Sequence, residues 1–288
     1  MKTLFSGAVV GCCALILGLA ASVPAGAQST QQQQQPSTST QQGDQQKPAQ
    51  NGNQPAPPAE APKVNPQEEA DYKALTALKP DDLNGQIKLG EEFVQKYPDS
   101  KYDESVYAKL TQAYYAKQDV PKMNAVGDKA LALNPDDVSV LVPLGYVAPH
   151  FYNSNDLDAE RKLQKAEQEL KHALELLPTM AKPAGVTDDD FTKAKATAAE
   201  QAHAGLGLVY FREGKDEESV TELKLVTSGP DPDPVNLFVL GIDLQHLKRF
   251  SEAADAFSKC AASPSQLKDQ CKTRADQAKQ QATSQPKQ

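Results

Sequence analysis

Two stretches of this 288-residue chain repeat each other at a fixed offset. Leu206 and Leu240, Gly207 and Gly241, Tyr210 and Leu244, Ser219 and Ala253, and Leu223 and Phe257 each stand 34 residues apart. The matches have a packing logic. Gly207, Gly241, Ser219 and Ala253 are small and would let the two helices of a hairpin approach closely. Tyr210, Leu223, Leu244 and Phe257 are large and would fill the space between hairpins. A unit of this length that recurs is a helix-turn-helix hairpin, which cannot bury its apolar face alone and must stack on copies of itself. The fold is therefore all-α, and the question becomes how far the stack extends.

It extends well upstream. Tyr107, Leu110 and Thr111 are followed 34 residues later by Leu141, Leu144 and Gly145. Units close on ALALNPDD (130–137) and ALELLP (173–178), where proline opens the next helix without needing its N–H. This pattern resembles the tetratricopeptide repeat (TPR). The resemblance implies a right-handed TPR solenoid over residues 67–282. A first, degenerate hairpin is expected from helices at Glu68–Leu78 and Asp82–Lys96. Its turn, Tyr97-Pro98-Asp99-Ser100-Lys101-Tyr102, is similar to the YPxSxY turn of periplasmic TPR proteins, among them outer-membrane assembly lipoproteins and the cell-division coordinator associated with the Tol-Pal system.

The middle of the stack departs from the period. Ala130 to Ala173 spans 43 residues, nine more than one unit, and the excess falls around His150 to Leu157. A further 19 residues enter after Pro178, where Pro183-Ala184-Gly185 makes a turn and Thr187 with Asp190 forms a start like a capping box. The helices beside these insertions, Asp156–Leu177 and Asp188–Arg212, are expected to be long and to project from the stack. After Pro264 a polar helix, Gln266–Gln281, is placed to cap the last apolar face.

Outside the stack the chain changes character. Met1-Lys2 and the apolar run Leu4–Ala21, closed by Ala25-Gly26-Ala27, read as an export signal over 1–27. An uncleaved anchor and a lipoprotein signal at Cys12 are the alternatives. Residues 28–66 are Gln- and Pro-rich with Val64 as their one branched aliphatic, so a disordered linker is expected, with a short disordered tail at 283–288. After cleavage no later stretch is long and apolar enough to span a membrane. A net charge of −8 argues against nucleic acid as partner, which needs a basic face.

Chemistry is sparse. Removal of Cys12 and Cys13 leaves Cys260 and Cys271, which two antiparallel helices across Pro264 would bring together as a disulfide in an oxidising compartment. Free, packed thiols are the competing reading. The four histidines, His150, His172, His203 and His246, show no metal-ligand spacing, so no metal or other cofactor is expected. His203 takes the aromatic first position of its repeat and reads as a packing residue. No nucleophile elbow, phosphate loop or dinucleotide fingerprint occurs, so an enzyme is not expected.

The TPR resemblance implies binding of a protein or peptide through the inner surface of the first helices. Carried onto this sequence, that surface comprises Gln112, Tyr115, Gln201, Leu208, Phe211, Arg212, Phe238, Ile242, Gln245 and His246. The Lys/Asn clamp of chaperone-binding TPRs is missing, since Ala204, Gly205, Leu208 and Ile242 hold those positions. An apolar groove at Phe211 and Phe238 suits an extended or helical peptide better. The alternative is that the projecting helices or the cap cover these side chains. The expected function is a non-catalytic interaction scaffold or adaptor of the bacterial envelope or periplasm. A self-associating structural protein (a homo-oligomer) and an accessory subunit of an envelope assembly or secretion complex are the alternatives.

Overall fold

A computed structural model describes residues 65–284; residues 1–64, with the expected export signal and most of the expected linker, and residues 285–288 lie outside it. Among the described residues there are eleven α-helices and no strand. They are α1 (Pro66–Thr76), α2 (Leu83–Lys96), α3 (Asp103–Lys117), α4 (Val120–Leu133), α5 (Val138–Val147), α6 (Ala159–Leu176), α7 (Asp188–Glu213), α8 (Asp216–Val226), α9 (Pro234–His246), α10 (Phe250–Ala262) and α11 (Lys268–Ser284). Helix α1 opens at Pro66, one residue before the expected start at Gln67. Asn65 caps α1, its Oδ1 accepting from the Gln67 and Glu68 amides, and Pro66 opens the helix. At the other end α11 runs to Ser284, past Gln281.

Helices pack on their chain neighbours, and α3, α5, α7 and α9 also touch one another in succession. The apolar interior is correspondingly serial. One cluster joins α1 to α5, the next α5 to α7, and a third α7 to α11. Tyr146 of α5 packs against both the first and the third cluster. This is a TPR-like helical solenoid, in which each unit is stable only against its neighbours.

The small-against-large matches take a specific form. A Cβ built on Gly207 would lie 2.6 Å from Cγ and Cδ2 of Leu223, and one on Gly241 would lie 2.6 Å from Cε1 of Phe257. Leu223 and Phe257 thus press onto the glycine of their own hairpin. That corrects the sequence expectation, which placed them only between hairpins; they seal the hairpin and join the shared core as well.

The first hairpin is fastened by its turn. Tyr97 Oη donates to Asp71 Oδ2 (2.7 Å), Ser100 Oγ to Glu68 Oε1 (2.6 Å) and Tyr102 Oη to Glu69, while the Tyr102 ring stacks on Tyr72 at 3.9 Å. Lys96, with Tyr97, holds Asp71 down at about 2. The similarity of this turn to YPxSxY therefore has a structural meaning here: both tyrosines and the serine bind α1.

The insertions take different shapes. The nine extra residues form a 3₁₀ turn (Ala148–Phe151) and an irregular loop, and α6 starts at Ala159 rather than Asp156. The 19-residue insertion feeds α7, whose cap is as expected: Thr187 Oγ1 accepts from the Asp190 amide. The first buried residue of α7 is Ala198, so its opening turns stand clear of the core. His203 is not only a packing residue. Its Nδ1 lies 2.6 Å from Glu222 Oε2, a polar tie between α7 and α8.

Candidate functional site

The residues carried over from the first helices lie on α3, α7 and α9, as the period requires, but their side chains have different fates. Tyr115 and Leu208 are buried in the chain's own cores. Tyr115 borders a small apolar cavity of about 30 Å³ with Met123, Tyr146 and Phe151, too small for a ligand. Gln112, Gln201, Phe211, Phe238, Ile242 and Gln245 are half-buried, and Arg212 and His246 are exposed.

Three of these side chains are held by neighbouring parts of the chain. The Arg212 Nε donates to the Pro149 carbonyl (3.1 Å), and its guanidinium lies over the rings of Tyr152 and Phe211. This contact folds the nine-residue insertion back onto the end of α7. On α9, Phe238 meets Phe257 edge-on at 5.8 Å, and Arg274 of the capping helix lies 5.9 Å from its ring centroid. Arg274 also donates to Gln245 Oε1 (3.1 Å), whose amide donates to Gln281 (2.9 Å). The cap thus covers much of the α9 portion of the expected groove.

Of the exposed large apolar side chains among the described residues, Phe151 and Leu157 lie on the insertion, Leu133 on α4, Leu225 on α8 and Val235 on α9. Leu157 is fully exposed and Phe151 is 48% exposed, within a loop that Arg212 pins to α7. The long α6 and α7 beside it carry ion pairs in place of apolar surface, for example Lys171 with Glu167 and Lys182 with Asp188.

A second constellation was not foreseen. Asp216 opens α8, and Asp243 and His246 lie one turn apart on α9; one donor atom from each falls within 4.8 Å of the others. His246 Nδ1 is 3.2 Å from Asp216 Oδ1. Asp243 is 0% exposed; its Oδ2 is 2.6 Å from Ser219 Oγ, and its Oδ1 has no hydrogen-bond partner among the described residues. Burial pushes the Asp243 carboxyl up to about 7, the Asp216 carboxylate adding to the shift and the Ser219 hydroxyl opposing it. The repeat held a signal for this site. The residue 34 positions before Asp243 is Val209, also fully buried, so an acid stands where the preceding unit has a core aliphatic.

Cys260 of α10 and Cys271 of α11 face each other across the Pro264 turn, with Cα atoms 5.8 Å apart and the sulfurs placed at bonding distance. Both are fully buried beside Leu237.

No family model matches the chain, and no curated protein matches it. Among solved structures it is similar to a thermophilic TPR protein of Thermus thermophilus. The identity is 17%, the match covers 74% of this chain and 99% of that one, and the TM-score is 0.43.

Proposed function

We propose that this protein is a non-catalytic interaction scaffold of the bacterial cell envelope, exported through its N-terminal signal and set off by the Gln/Pro-rich linker. Its partner docks where the insertion meets α7. The observation that carries this reading is the exposure of Phe151 and Leu157 on a loop that Arg212 anchors to the first-helix face beside Phe211. Apolar side chains held out on an anchored loop are suited to a protein partner. The Phe238 end of the expected groove contributes less, because Arg274 lies against it.

Photo-crosslinkers placed in cells at positions 151 and 211 are expected to capture the same discrete chain, while one at Glu218, on the exposed side of α8, is not. With that chain purified, replacing Phe151 and Leu157 by serine should weaken binding at least tenfold, as loss of a central apolar anchor does. Equal capture at all three positions, or undiminished binding by the double variant, would sink the docking surface. Light scattering over a concentration series separates this reading from self-association: an adaptor stays monomeric.

Export has its own consequence. We infer that Cys260 and Cys271 are oxidised in the native protein, locking the capping helix to the last repeat. Protein recovered from the envelope is then expected to show no free thiol until it is reduced and unfolded. Closing a loop with a separation of 11 residues should contribute about 2–3 kcal/mol, read as the loss on reduction in a denaturant titration. Two thiols alkylated in envelope-derived protein that has been unfolded without reductant would overturn the disulfide.

A further inference from the structure

We propose that Asp216, Asp243 and His246 form a binding site for a divalent transition-metal ion of the zinc class, clamping the second helix of one hairpin to the first helix of the next. A fully buried carboxyl faces a second carboxylate, and one of its oxygens has no donor among the described residues. Two such groups are not stably ionised side by side in a protein interior unless something positive lies between them. That positive charge comes from a proton, shared by the carboxyls or carried by the His246 ring beside Asp216, or from a bound cation.

The third member of the cluster supplies the second kind of ligand that a transition metal takes. A shared proton needs only the two carboxyls, whereas here an imidazole nitrogen also converges on Asp216. Zinc takes carboxylate oxygen and imidazole nitrogen at about 2.0–2.2 Å, which separates adjacent ligands of a tetrahedron by about 3.3–3.5 Å. The Asp216–His246 edge, at 3.2 Å, is already near that value. The other donor atoms lie within 4.8 Å, a span that side-chain rotation can close.

The surroundings fit the same reading. Ser219 Oγ lies 2.6 Å from Asp243 Oδ2 and 2.8 Å from the Gly207 carbonyl, an outer partner of the kind that orients a ligating carboxylate. Three protein ligands leave a fourth position, and the exposed His246 puts it on the solvent side. Asp243 and His246 lie a single turn apart on α9 while Asp216 begins α8, so the ion would bridge two successive hairpins. Any proton on Asp243 leaves as the metal binds, so binding releases acid and weakens as the pH falls.

The test is calorimetric titration of zinc chloride into tag-free, chelator-washed protein. The wild type is expected to bind one equivalent saturably and to unfold at a higher temperature with zinc present. His246→Ala, at an exposed position, should keep the helical circular dichroism of the wild type and bind at least tenfold more weakly. His172→Ala serves as the control, because His172 also sits 2.6 Å from a carboxylate, Asp136, on the surface; it should bind as the wild type does. No saturable equivalent in the wild type overturns the site and leaves the carboxyl pair to a proton. Equal affinity in wild type and His246→Ala, or loss only in His172→Ala, overturns it too. None of these results bears on crosslinking at positions 151 and 211, so the scaffold reading stands or falls separately.

Discussion

Replacing Phe257 by alanine is expected to lower the unfolding free energy by about 4 kcal/mol, within the range for a buried aromatic truncated to a methyl. The ring is fully buried and lies where a Cβ on Gly241 would stand, 2.6 Å away. The partner substitution makes the prediction sharper. Gly241→Ala gains about 1 kcal/mol of helix propensity, but in the wild type its methyl runs into an aromatic ring with no room to retreat. Overpacking of that kind costs about 1–3 kcal/mol. Once Phe257 is alanine the methyl has space, and the same change should become neutral or stabilising by up to about 1 kcal/mol. Denaturant titrations of the two single variants and the double variant measure this coupling directly. If Gly241→Ala costs the same in both backgrounds, the ring is not what requires glycine there.

The same pair shows why so much of the fold was legible. A glycine opposite a large apolar residue, repeated 34 positions apart as Gly207–Leu223 and Gly241–Phe257, encodes helix approach in local sequence. The insertions were visible as breaks in that register, and the Thr187 cap as a short motif. Contacts between distant units were not legible. Nothing in the cap's polar sequence says that Arg274 and Gln281 reach back to Phe238 and Gln245, because the helix is positioned by Cys271, Ala275 and Ala278 on its buried side. Nor does Arg212 announce that it binds the Pro149 carbonyl, 63 positions earlier. The residues of the expected groove thus lie on α3, α7 and α9, while several of their side chains serve the chain itself.

Asp243 is the case where the register held information that a motif search could not use. Read against Val209, its equivalent one unit earlier, it is a buried acid in an aliphatic position. Its partners, Asp216 and Ser219, belong to a different helix. Scattered histidines and the absence of metal-ligand spacing could therefore be true of the sequence while three ligand-type side chains still meet in space.

In the presence of a chelator, Asp243→Asn should stabilise the protein by an amount that depends on pH, and the sign follows from where the proton sits. The folded-state pKa is raised to about 7 from an ordinary value of 3.8. Between those values the folded protein holds a proton that the unfolded chain has lost. Wild-type stability therefore falls as the pH rises through that window, by about 1.4 kcal/mol per unit from this group alone. Well below the unfolded value of 3.8 both states are protonated and the contribution vanishes; above the folded value it is complete, at about 4 kcal/mol. Asparagine cannot ionise, keeps the size of the side chain and still reaches Ser219, so the variant escapes the penalty. Glu169, which burial also pushes up to about 7, is present in both proteins and cancels in the comparison. The gain over wild type is thus expected to be about 1 kcal/mol at pH 4.5 and about 4 kcal/mol at pH 8 in paired denaturant titrations. A gain of the same size at both pH values would mean that Asp243 does not titrate between them, and that the proton or cation between the two carboxyls had been misplaced.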